Sequence, residues 1–198
     1  MFSYGTGTTV NISDSTITTT ADNSGGIQTT GGGTMNAELT ANNSEALVVE
    51  GKNSIALTSC TVSGNMSSTK GSSSSENVHT VMIYQSMSGD ADVGTSEFSM
   101  TGGSLTGKNG NLFYITNTHC ILTLSGVTLK NGSTFTGTIN IADNAEGGTA
   151  VSDNAVVTIG SGCTWTLTGD CTITSLTNNG TINFNGHTIT LADGTVLR

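Results

Sequence analysis

The sequence predicts an all-β fold, a right-handed parallel β-helix solenoid of roughly eight coils. Three observations carry that expectation. Apolar residues recur in two independent columns, proline is absent, and Thr, Ser, Asn and Gly supply 107 of the 198 residues. Alternation of apolar and polar residues at period two marks short strands with one face buried. Gly and Asn between strands suit corners that need positive φ. A chain without proline can donate every ladder N–H. The right hand follows from the crossover rule for parallel strands.

The first column pattern places two apolar residues at alternate positions, then four small or polar residues, then a third apolar residue. It reads Val10-x-Ile12-SDST-Ile17, Ile55-x-Leu57-TSCT-Val62, Phe98-x-Met100-TGGS-Leu105, Leu122-x-Leu124-SGVT-Leu129 and Ile182-x-Phe184-NGHT-Ile189. A second pattern reads NSGGIQTT (23–30), NSEALVVE (43–50), NVHTVMIY (77–84) and NGNLFYIT (109–116), and it aligns Ile27, Leu47, Val81 and Phe113. The stretch TMNAELTANNSE reads as a shortened repeat. Residues 64–76 (GNMSSTKGSSSSE) form a low-complexity insertion, expected to be a flexible loop. From about residue 131 the second column fades, and 131–198 reads as less regular, narrower coils ending near Leu191. The whole of 1–198 is expected to form one β-helix domain.

Composition limits the functional classes. Five Lys and Arg against fourteen Asp and Glu leave a net charge of −9, which argues against a nucleic-acid surface. No apolar run approaches the roughly 20 residues of a membrane helix. The opening MFSYGTGTTV shows neither a basic region nor an apolar one, so no secretion signal is visible in it.

Strand alternation turns columns into surface stripes. Outward in the second pattern lie Gln28, Val48, Met82 and Tyr114, followed two positions on by Thr30, Glu50, Tyr84 and Thr116. Gly25, Glu45, His79 and Asn111 precede the strand. Tyr84 and Tyr114 beside Glu45, Glu50 and His79 are therefore the candidate ligand-binding set. Sugars lay C–H faces on aromatic rings while polar groups take their hydroxyls. The competing expectation is that Val48, Met82 and Tyr114 are covered and form a satellite core. A candidate calcium set is Asp90, Asp92 and Glu97, in SGDADVGTSE, since a hard cation needs converging oxygen ligands from a tight loop. A solvated surface turn is the alternative. Given the net charge, an acidic glycan such as a polyuronate would need bridging cations.

Catalysis finds little support. The single arginine is Arg198, no recurring acid column appears, and neither His119 nor His187 has an evident partner. Cys60, Cys120, Cys163 and Cys171 match no zinc spacing and read as buried free thiols, with a Cys163–Cys171 bridge as the alternative. Thr-x-Thr pairs such as Thr164-x-Thr166 would serve ice binding only as a flat array repeated on successive coils. The mixed outward column of the second pattern argues against it.

The stretch HTVMIYQSMSGDADVGTSEFSMTGGSLTGKNGNLFYITNTHCILTLSGVTLKN, followed by TWTLTGDCTITSL, resembles bacterial surface β-helix proteins of the carbohydrate-binding kind with a pectate-lyase-like fold. That resemblance implies a non-catalytic cell-surface or secreted module that binds polysaccharide, with calcium for acidic glycans. A structural adhesin or filament segment that assembles end to end is the alternative expectation.

Overall fold

A computed structural model describes residues 2–4, 16–19, 27–30, 33–35, 38–42, 45–66, 78–85, 91–116, 118–126, 132–142, 151 and 153–198, with side-chain surroundings from Glu45 onward. The described residues form strands and turns with no helix, in one curled sheet. Every strand pairing is parallel except the last, in which Val196–Leu197 folds back antiparallel on Ile189–Leu191. No helix among them is long and apolar enough to cross a membrane.

Three ladders run through this sheet, and the chain visits them in a fixed order. The first ladder registers Ile55, Phe98, Leu122, Val157 and Leu176 in one column. The second registers Leu39, Val62, Leu105, Phe135, Trp165 and Ile182. The third registers Ile27, Leu47, Val81, Phe113 and Ile139, then Cys171 and Ile189 in the strands beyond. Strand Thr95–Thr116 passes through all three ladders, bending at Gly102 (φ 68°), Gly103 (φ 83°) and Gly110 (φ 59°). Gly103 has a second reason to be glycine. An added Cβ would lie 2.1 Å from the Cys60 carbonyl oxygen of the adjacent coil.

Inward columns stack into one core. Phe98 meets Phe113 edge-on at 5.0 Å between ring centres, and Phe135 lies 5.5 Å from Phe113. In the next coil Trp165 is fully buried, and its Nε1 donates to the Gly137 carbonyl at 3.0 Å. The indole is thus both core filler and a tie between coils. All four cysteines are buried thiols, and no Cys163–Cys171 bridge forms. Burial, reinforced by Glu97, pushes the Cys120 thiol far above its ordinary range. Burial likewise lifts Cys171 to about 11, despite a hydrogen bond from the Ile139 amide.

Register corrects the repeat pattern in three places. The last repeat, Ile182-x-Phe184-NGHT-Ile189, is expected from its spacing to begin in the first ladder. Ile182 instead pairs with Trp165 in the second ladder, and Ile189 belongs to the third. Leu176 takes the first-ladder position, reached from Val157 by a short coil whose corners shed residues. The partner of Leu105 is Phe135, and Leu129 lies outside the described residues. In the shortened repeat, Met35 pairs with Leu57 and Leu39 with Val62. The loss there is a single residue in the corner, and both ladder positions survive. The insertion expected from residue 64 begins later, because strand Ser54–Asn65 still pairs through Gly64 and Met66 is buried. Residues 67–76 lie outside the described residues.

Candidate functional site

The third ladder carries the residues that the sequence singles out for ligand binding. Its register aligns Gln28, Val48, Met82 and Tyr114 in one column, as the alternation predicts. Glu50, Tyr84 and Thr116 share the next column on the same face. The stripe is therefore real as a stripe. Its surroundings are not those of an open aromatic shelf. Met82 and Tyr114 are buried, Val48 is nearly so, and together with half-buried Tyr84 they form a second apolar cluster outside the main core.

Polar members of the set are buried beside that cluster. His79 Nε2 stands 3.4 Å from Glu45 Oε1, and neither side chain has appreciable access to water. The imidazole stacks on the Tyr114 ring at 5.2 Å with the planes 27° apart. A buried ion pair or charge-assisted hydrogen bond is costly to break once one partner is removed. This arrangement consequently holds the start of the ladder in register. The same column continues through Asn111, whose Oδ1 accepts from Thr138 Oγ1 and Asn140 Nδ2, both at 2.7 Å. Asn140 Oδ1 in turn accepts from the Thr172 amide at 2.8 Å. Side chains here stitch coil to coil, parallel to the backbone ladder. Glu50 is buried as well, so Tyr84 alone among the five candidates keeps part of its ring at the surface.

The proposed cation set is divided. Asp90 lies outside the described residues. Asp92 and Glu97 are exposed, and the Asp92 carbonyl accepts from the Lys52 amide at 2.7 Å. Two carboxylates fall short of the roughly six to eight oxygens that calcium takes. Among the described residues no three His, Cys, Asp or Glu side chains converge on one point.

Two pairings carry no signal in the sequence. His119 Nδ1 contacts Asp153 Oδ1, and His187 Nδ1 stands 3.8 Å from Asp170 Oδ1. Asp170 also accepts from the Thr188 amide at 2.9 Å. The sequence separations, 34 residues for His119 and Asp153, hide such contacts from any local motif. His119 opens a first-ladder strand and His187 lies in the turn before a third-ladder strand, so the two pairs do not share a site.

The second ladder presents the opposite surface. Its outward residues flank the inward column as triplets: TVS at 61–63, SLT at 104–106, TFT at 134–136, TWT at 164–166 and TIN at 181–183. These ten flanking side chains are exposed or half-exposed, uncharged and small, whereas the preceding strand, ELT at 38–40, brings Glu38 into register with Thr61. No family model, characterised protein or solved structure matches the chain.

Proposed function

We propose that the chain is a right-handed parallel β-helix of about eight coils that works outside the cell as a non-catalytic polysaccharide-binding module. Acidic glycans such as polyuronates are its favoured partners, with calcium bridging two negative surfaces. One observation supports this reading above the others. Tyr84 is half-exposed over a sealed bed of Met82, Tyr114 and Val48, with Glu50 its register partner. A ring held rigidly at the surface loses little entropy when a sugar stacks on it. The thiols argue against nucleophilic chemistry, since Cys120 and Cys171 are buried and hard to ionise. Retardation in native gels cast with polygalacturonate, alginate or a neutral glucan, with calcium and with EDTA, tests the reading. Migration that none of these polymers changes would overturn it, as would full retardation of Tyr84→Ala.

A second reading is a structural adhesin or filament segment. It is favoured by the last coil, where strands Ser175–Asn178 and Thr181–Asn183 each pair on one side among the described residues. Leu176, Ile182 and Phe184 form a partly buried layer there. Open strand edges favour pairing with another chain. Light scattering across a concentration series separates the two readings, because a constant monomer mass excludes end-to-end assembly.

A further inference from the structure

We infer that Asn185 is a site of spontaneous deamidation, in which the Gly186 backbone nitrogen displaces the side-chain amide as ammonia. Four Asn–Gly pairs occur in the chain, at 109–110, 131–132, 179–180 and 185–186. Asn131 lies outside the described residues. The other three asparagines are all exposed, so access to water does not distinguish them. What surrounds the following glycine does.

The chemistry is contained in one dipeptide and water. The glycine nitrogen attacks the asparagine Cγ and forms a C–N bond. The Cγ–Nδ2 bond breaks, and Nδ2 leaves as ammonia with the proton that the backbone nitrogen gives up. Water then opens the five-membered imide at either carbonyl, leaving aspartate or isoaspartate. Glycine suits the step because no Cβ crowds its nitrogen or restricts its backbone. The peptide must still swing toward Cγ, so it needs room and freedom from hydrogen bonds to the adjacent coil.

Two of the three pairs are clamped. Asn109 and Gly110 lie inside strand Thr95–Thr116, where Asn109 Nδ2 donates to the Met66 carbonyl at 2.9 Å. The next amide, of Asn111, donates to the Val78 carbonyl at 2.8 Å, and a Cβ on Gly110 would lie 2.0 Å from that same oxygen. At the second pair the Asn179 amide donates to Ile159 and the Thr181 amide to Cys163, so ladder bonds bracket the peptide. The attacking nitrogen is itself engaged, since the Gly180 amide donates to Asn178 Oδ1 at 3.0 Å. A Cβ on Gly180 would lie 2.6 Å from the carbonyl oxygens of Cys163 and Gly160. The third pair is different. Asn185 (φ 52°) and Gly186 (φ 82°) form a turn of the last coil, closed by the His187 amide donating to Phe184 at 2.9 Å. Nothing lies within 4 Å of a Cβ built on Gly186, and no backbone carbonyl accepts from its nitrogen. Asn185 Nδ2 ties the turn to the preceding coil, donating to the Leu167 carbonyl at 3.0 Å. Deamidation removes that donor and sets an acceptor-only carboxylate against a carbonyl oxygen. The modification therefore unfastens the turn it occurs in.

The test is ageing of the whole chain in warm, mildly alkaline buffer, followed by chymotryptic mapping in a mass spectrometer. Cleavage after Leu and Phe places Asn109, Asn179 and Asn185 in separate peptides, and fragmentation locates the change within each. The peptide that begins at Asn185 should gain one mass unit several-fold faster than the other two sites react, and isoaspartyl methyltransferase should label it. In urea the three rates should converge, because the bonds that hold Asn109 and Asn179 are gone. Fresh Asn185→Asp should reproduce the lowered thermal midpoint of the aged protein, and Asn185→Gln should not acquire the early mass gain. Reaction of Asn109 or Asn179 in the folded chain as fast as Asn185 would overturn the inference. So would an Asn185 that stays intact in the folded chain while the chain in urea reacts.

Discussion

The second and third ladders are built from the same strands, pleat and turning rule, yet their outward faces have opposite fates. On the third ladder, outward Met82 and Tyr114 are as buried as the core. On the second, outward Thr136 and Thr166 remain half-exposed around fully buried Phe135 and Trp165. Strand alternation therefore decides which way a side chain points. It does not decide what it meets there. A face that carries Val, Met and Tyr gains by leaving water at about 25 cal/mol per Å² of apolar area. A face of hydroxyls gains nothing comparable and stays open.

The largest expected contrast is between single truncations on the two faces. Tyr114→Ala removes a buried ring that also supports His79, and should cost about 3–5 kcal/mol, as buried aromatic truncations do. Thr166→Ala at an equivalent outward position should change stability by no more than about 0.5 kcal/mol. Urea denaturation followed by tryptophan fluorescence measures both, and equal losses would erase the distinction. Corners give the next contrast. Gly103 and Gly186 have nearly the same φ, +83° and +82°, but only Gly103 is pressed against a neighbouring backbone. Gly186→Ala should cost about 1–2 kcal/mol for left-handed conformation alone. Gly103→Ala should cost distinctly more in the same titration, since the carbonyl of Cys60 must also move.

Alkaline pH probes the third ladder from the inward side. Cys171 in the third ladder has its thiol raised from 9.0 to about 11, chiefly by burial. A raised folded-state value favours the folded chain fully below pH 9, and that contribution disappears as pH climbs toward 11. Thermal midpoints should therefore drop over this window, and Cys171→Ala should drop less steeply. A parallel decline in both proteins would locate the alkaline sensitivity elsewhere, with Cys120 as the next candidate. The smallest effect belongs to surface charge. Thr134→Lys on the second ladder should leave the midpoint within about a degree of wild type, since exposed changes rarely exceed about 0.5 kcal/mol.

Much of this architecture is legible in the residue pattern. The columns through Leu47, Val81 and Phe113, and through Ile55 and Phe98, register as the repeats predict. The pattern misleads where corners change length. It puts Ile182 one ladder early, because the spacing Ile182-x-Phe184-NGHT-Ile189 matches that of a first-to-second ladder passage. A short coil can meet the same spacing between the second and third ladders. The Thr-x-Thr pairs of the second ladder are visible in the sequence, but with only one apolar residue per strand to mark the column their register from coil to coil is not. Nothing local connects His119 to Asp153, 34 residues apart, whereas Glu45 and His79, equally distant, share an aligned column of the second pattern.

The residue pattern suffices for an all-β chain with inward apolar columns, because period-two alternation and the absence of proline leave few other ways to bury those residues. It also settles which residues share a stripe across most of the ladders, since register follows from column spacing. Which stripes meet water is a property of the folded chain alone. Folding buries Tyr114, His79 and Glu45 and leaves the second ladder's threonines open. Apolar Val48, Met82 and Tyr114 make a cover favourable, but whether an outward face is buried depends on what the rest of the chain lays against it.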